Sequence, residues 1–268
     1  MPNSQFIGFY NTPPLWVHEQ FGMVQFPFPK IEFEGLETQP ISTKMRLGHQ
    51  MESVFLQLIN YSKKFKVRLH NLPVQREKRT IGEIDFILED LQSHRLLHVE
   101  LTYKFYIIDS SISEPIHQLM GPNRRDMFFT KMEKIKNQQF QLVHEPEAIT
   151  ALKNNGIESN ELVHQCCFKA QLFVPYWNPT VHIRPLNKSC IAGFWISFDE
   201  FNATEFKEHQ YYIPYKSQWV IDPPKNVDWL THYECLLEIN IRIIKENSPM
   251  IWMKKQNGGF TKMFVVWW

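Results

Sequence analysis

The sequence predicts an α/β fold in which a mixed sheet lies between helices, and two patterns carry that reading. Apolar residues recur at helical spacing in two separate stretches, first Leu47, Met51, Val54, Phe55 and Leu58, then Phe128, Met132, Ile135 and Leu142, with Gln139 on the same stripe. A period near 3.6 sets each group on one buried face. Between and after these stretches the chain is rich in β-branched and aromatic residues and is broken by polar clusters, the pattern of strands and turns. Helix, three strands, helix, strand is an order that buries its apolar faces when the helices cover a sheet.

Taken in order, residues 1–41 contain Pro13, Pro14, Pro27, Pro29 and Pro40. Proline fixes φ and removes a backbone donor, so this stretch is expected to be an irregular arm packed on the core. Ser42 or Thr43 can cap a helix running to about Tyr61. Strands are expected over Phe65–Val74, Thr80–Leu88 and Arg95–Ile108. Gly121-Pro122-Asn123 opens a second helix reaching about Val143, and Gln165–Pro175 completes a core over residues 42–175. Residues 176–268 read as an α+β extension of the same domain. It should hold strands at Gly193–Phe198 and Gln218–Ile221, a helix from about Val227 to Glu246, and a terminal hairpin turning at Asn257-Gly258-Gly259.

Composition narrows the function. A chain of 268 residues, 43% hydrophobic, buries a sizeable core without staples. Its four cysteines include no CxxC pair, which argues against structural zinc and for a reducing, intracellular setting. The longest apolar run, Met263–Trp268, is too short to cross a bilayer, and the N-terminus lacks a basic start followed by an apolar stretch. A cytoplasmic protein without a membrane partner is expected. With 29 basic and 28 acidic residues, the chain is not one that coats nucleic acid through bulk positive charge, although a local basic groove remains compatible.

The candidate chemistry sits on two strands. In Gly82-Glu83-Ile84-Asp85-Phe86, Glu83 and Asp85 share one face while Ile84 and Phe86 share the other. The next strand repeats the design, with Glu100, Thr102 and Lys104 on one face and Val99, Leu101, Tyr103 and Phe105 on the other. Neighbouring strands can bring Asp85 beside Glu100. Two such carboxylates can hold Mg²⁺ or Mn²⁺ through oxygen, leaving positions for water and a phosphate oxygen, and a nearby lysine can stabilise the transition state. Glu52 borders the buried stripe of the first helix, from which it can reach such a site. Gln139 stands on the stripe of the second, where a buried amide needs a partner. Arg124, Arg125, Lys131, Lys134 and Lys136 are read as the solvated face of that helix. Trp177, Trp195, Trp219, Trp229 and Trp252 are read as core, and His49 and His98 as structural.

Together, Glu52 on a helix, the GEIDF strand, a following strand with Glu and Lys, and a glutamine on the next helix resemble the PD-(D/E)XK nuclease superfamily. More narrowly, LGHQME, GEIDF, HVELTYKFY and GPNRRD resemble a bacterial family of domains of unknown function, domain of unknown function 1853, usually placed there. The resemblance implies a restriction-endonuclease-like αβββαβ core, Asp85 and Glu100 as metal ligands, Glu52 as an accessory acid and Gln139 as a supporting residue. One departure stands out. Thr102 occupies the superfamily's usual lysine position and Lys104 follows two residues later, roughly 13 Å from Glu100 along an extended strand rather than roughly 7 Å. The expected function is metal-dependent hydrolysis of phosphodiester bonds in DNA or RNA. The alternative is an inactive nuclease-fold protein that binds nucleic acid or a protein partner.

Overall fold

A computed structural model describes residues 4–268; Met1–Asn3 of the expected arm lie outside the described residues. In chain order the elements are α1 (Ser4–Asn11), β1 (Glu19–Gln20), β2 (Met23–Val24), α2 (Leu47–Ser62), β3 (Phe65–Arg76), β4 (Arg79–Asp90), β5 (Leu96–Ile108), α3 (Pro115–Gln118), β6 (Leu119–Met120) and α4 (Phe128–Lys134). There follow α5 (Pro146–Lys153), β7 (Val163–Pro175), β8 (Ile191–Ser197), α6 (Phe198–Phe201), β9 (Gln210–Tyr212), α7 (His232–Ile243), β10 (Met250–Lys254) and β11 (Phe260–Val266). The chain is α/β with a mixed sheet. Its backbone packs as two compact units, one from Ser4–Phe6 with Pro14–Tyr103 and Thr130–Lys169, the other from Ile7–Pro13, Lys104–Phe129 and Ala170–Trp268.

In the first unit the sheet runs β3, β4, β5, β7. β3 and β4 form an antiparallel hairpin whose turn residues Glu77 and Lys78 have φ of 47° and 67°, the left-handed pair that matches the twist of the flanking strands. α2 lies against the strands through Phe55, whose ring is 4.6 Å from that of Phe86. Ile84, Ile87 and Val74 pack with Val143, Ala148 and Leu152 in a second buried cluster. Burying each large side chain of this kind contributes about 1.5–3 kcal/mol relative to leaving it in water.

Local chemistry moves several expected boundaries. α2 starts at Leu47 because the Ser42 hydroxyl and carbonyl accept the N–H groups of Lys44 and Met45, which builds a turn and leaves Arg46 as the cap. The helix expected from Asn123 to Val143 is broken. Gly121–Asp126 is a turn closed by Gly121 N–H on the Asp126 carbonyl, with Arg124 at φ 56°, a conformation that no α-helix continues. After α4 the chain widens into a π-helical turn, Ile135–Gln139, closed by Phe140 N–H to Ile135 O at 2.8 Å, and then a 3₁₀ turn, Leu142–His144. The arm holds α1 and the β1–β2 pair where irregular chain is expected.

In the second unit β8 is parallel both to the end of β7 and to β11, while β10 is antiparallel to β11 and β9. Gln218–Ile221, expected as a strand, follows and ends a 3₁₀ turn over Lys216–Gln218, because the Gln218 side chain folds back to accept the Tyr215 N–H at 3.0 Å. The edge strand is instead β9. The expected helix in this region is shorter than its pattern, starting at the Thr231–Glu234 capping box. β8 approaches β11 closely at Gly193, where a Cβ would lie 1.9 Å from the Lys262 carbonyl oxygen. Gly193→Ala is therefore expected to lower stability by about 3 kcal/mol, seen as a reduced urea midpoint at constant m-value. An unchanged midpoint would contradict the β8–β11 register.

Candidate functional site

β4 and β5 are antiparallel with Ile87 opposite His98 and Phe86 opposite Val99. One further step of that register sets Asp85 opposite Glu100. The backbone ladder stops there, since Asp85 Oδ2 crosses to accept the Leu101 N–H at 2.9 Å. Glu100 is completely buried. Its Oε1 lies 2.9 Å from His98 Nε2 and its Oε2 accepts from the Gln139 amide. The other end of that amide, Oε1, accepts from Lys131 Nζ at 2.8 Å. Lys131 thus reaches Glu100 through one side chain.

Behind Glu100, His98 is also fully buried, with Nδ1 3.0 Å from His164 Nδ1, and the His164 ring stacks on Phe140. Burial holds His98 down at about 3 and His164 at about 4, so both rings are neutral at pH 7. The acids shift the other way. Burial, followed by repulsion from Glu100, pushes the Asp85 carboxyl well above the usual range. Burial likewise raises Glu100, against the attraction of Lys131. Glu52 on α2 adds repulsion to Asp85 and Glu83 adds it to Glu100. Glu52 is itself bound to His49 Nδ1 at 3.0 Å, and that contact raises the His49 pKa.

Glu52, Asp85, Glu100 and Gln139 therefore meet in the first unit. Lys104 belongs to the second, where its Nζ donates to Asp126 Oδ2 at 2.5 Å. The cation tied to the acid pair is Lys131, which the sequence pattern assigns to the solvated helix face. Lys131 and Gln139 are eight residues apart, which in a regular α-helix puts them about 80° apart around the axis. The π turn between them accommodates an extra residue and brings them into line. A uniform helical period cannot reveal that pairing.

Among the described residues no group of three or more His, Cys, Asp or Glu side chains is disposed to hold a metal ion. What the site offers is a smaller set of carboxylate oxygens, the donor type that hard divalent cations take. Such ions are held by one or two carboxylates, with water and substrate oxygens completing the shell, and a cation between Asp85 and Glu100 would relieve their repulsion. Two residues beyond Glu100, the buried Thr102 hydroxyl has no hydrogen-bond partner among the described residues, a polar atom available to a bound water. The nearby Cys166 thiol, raised far above its ordinary pKa by burial, stays protonated and does not compete.

A family model described as a domain of unknown function, DUF1853, matches residues 32–259. The chain belongs to the DUF1853 family. No curated protein and no solved structure matches it. The DUF1853 match takes in every residue of the site and most of both units. Among the described residues no helix is long and apolar enough to cross a membrane.

The acid pair gives this DUF1853 chain a testable pH dependence. Folded Asp85 and Glu100 keep protons that the unfolded chain releases above about pH 4, so their burial costs stability as pH rises through the raised values. Asp85→Asn should raise the melting temperature at pH 8 in chelator, on the order of 2–4 °C per kcal/mol of relieved repulsion, with a smaller gain at pH 5. A lower melting temperature for the variant at pH 8 would mean that the bond from Leu101 outweighs the repulsion.

Proposed function

We propose that this DUF1853 chain is a metal-dependent nuclease that hydrolyses phosphodiester bonds in DNA or RNA, on a PD-(D/E)XK-like core. The observation that supports this most is the register that sets Asp85 against Glu100 in a buried setting, with Lys131 tied to the pair through Gln139. A Mg²⁺ or Mn²⁺ ion on these carboxylates would supply Lewis acidity to a bound water and to the phosphoryl group.

The chain's own residues do the rest. Leu101 N–H fixes Asp85, and His98 and Gln139 grip Glu100 from two sides, so the ligand oxygens are oriented before substrate arrives. Lys131 places positive charge where negative charge develops on the transferring group, the role that the PD-(D/E)XK pattern gives to a strand lysine. Glu52, held by His49, stands at the edge as an accessory acid that can orient the attacking water. Thr102 offers its hydroxyl to the same water or to a phosphate oxygen. The four free, buried cysteines support a reducing, cytoplasmic setting.

A second reading, a silent nuclease-fold protein that binds nucleic acid or a protein partner, is favoured by the engagement of Lys104 with Asp126. Incubation with linear and circular DNA and structured RNA, in Mg²⁺, Mn²⁺ or chelator, separates the two. Metal-dependent cutting is expected of the wild type and should be absent from folded Asp85→Ala and Glu100→Ala variants. Lys131→Ala should lower the rate about 10²–10³-fold, the scale of losing one transition-state donor, whereas Lys104→Ala should change it by less than about tenfold. Equal losses from the two lysine variants would overturn the role given to Lys131. No cutting by any form, with salt-sensitive binding, would favour the silent protein.

A further inference from the structure

α7 is anchored on one side and open on the other. Thr231 and Glu234 cap its start reciprocally, and His232, Cys235 and Ile239 bury one face, the last two in a core with Phe201, Tyr211 and Ile251. The opposite face of such a helix is ordinarily polar. Here Tyr233, Leu237, Ile241 and Ile244 are 70%, 52%, 56% and 75% exposed. At 3.6 residues per turn they fall within a sector of about 80°. Exposed apolar residues scattered singly need no explanation, but a continuous stripe of four marks a surface that something covers.

The flanking charges say what covers it. Glu234 and Glu238 stand beside the first half of the stripe, and Arg242 and Lys245 beside its end. Of these four side chains, Glu238 and Arg242 approach each other within the described residues, at 4.0 Å. We propose that α7 packs antiparallel, about a two-fold axis, on α7 of a second copy of this chain. Such a contact sets each flank against its own reverse. Glu234 and Glu238 of one helix face Lys245 and Arg242 of the other, while Leu237 and Ile241 pack on each other across the axis, an isologous arrangement. A single helix face is smaller than the ~800 Å² per partner of a standard stable interface, so assembly depends on concentration.

Sedimentation equilibrium over about two decades of protein concentration tests this. The wild type should rise from 32.1 kDa toward twice that mass. Leu237→Glu combined with Ile241→Glu should weaken the dimer at least about tenfold without lowering the melting temperature at concentrations where the wild type is monomeric, because both side chains are already exposed. Glu238→Arg and Arg242→Glu should each weaken it, and the double swap should restore it, since the charges change places on both helices. A wild type that stays monomeric throughout overturns the proposal. So does a dimer indifferent to the Leu237→Glu, Ile241→Glu pair.

Discussion

Burial of two carboxyl groups side by side is the constraint on which the candidate site in the first unit depends. Removing a charge from water costs several kcal/mol after relaxation, and the β4–β5 register asks for this twice, at Asp85 and at Glu100. The surrounding contacts are those that such a pair requires. A backbone N–H holds Asp85, an amide and an imidazole hold Glu100, and an amine sits one amide away. Hydrogen bonds to charged groups contribute about 1.5–3 kcal/mol each, enough to keep the pair in place but not to remove its mutual repulsion. On the nuclease reading, a divalent cation would turn this repulsion into attraction.

Much of this was legible in the sequence because it follows from short-range periodicity. Alternation along GEIDF and HVELTYK sets Asp85 and Glu100 on polar strand faces, and hairpin connectivity makes those strands neighbours. Lys131 was hidden for an equally physical reason, since its link to Gln139 depends on a π turn that no uniform period contains. Lys104 illustrates the converse. Its strand face follows from alternation, but its partner, Asp126, lies in a turn that the Gly121-Pro122-Asn123 signal disguised as a helix start. Local rules fix where a side chain begins; the partner its far end finds depends on contacts distant in sequence.

The arm and the extension show the same boundary. Apart from Pro2, the prolines of residues 1–41 begin at Pro13, and Ser4–Asn11 forms a helix whose Phe6 and Phe9 are completely buried. Composition averaged over the whole stretch conceals that. β9 spans three residues, too few for alternation to register. Trp219-Val220-Ile221 has the composition of a strand, yet one side-chain amide, Gln218 on the Tyr215 N–H, bends the preceding residues into a turn.

Net charge, nearly zero for the chain, conceals a local field with consequences for the proposed chemistry. Glu100 and Glu52 act electrostatically on Asp85 and Glu83 acts on Glu100, and Lys131 opposes them at both carboxyl groups. On the nuclease reading, a phosphodiester approaching this cluster meets like charge wherever pH ionises its carboxyl groups. In a partly buried setting, where screening by salt is weak, that field disfavours substrate before any bond is broken. On the nuclease reading, the divalent ion therefore has a part in binding as well as in activating water. On that reading, discrimination between a metal-loaded and a bare site would lie in the sign of one local potential, not in the charge of the whole protein.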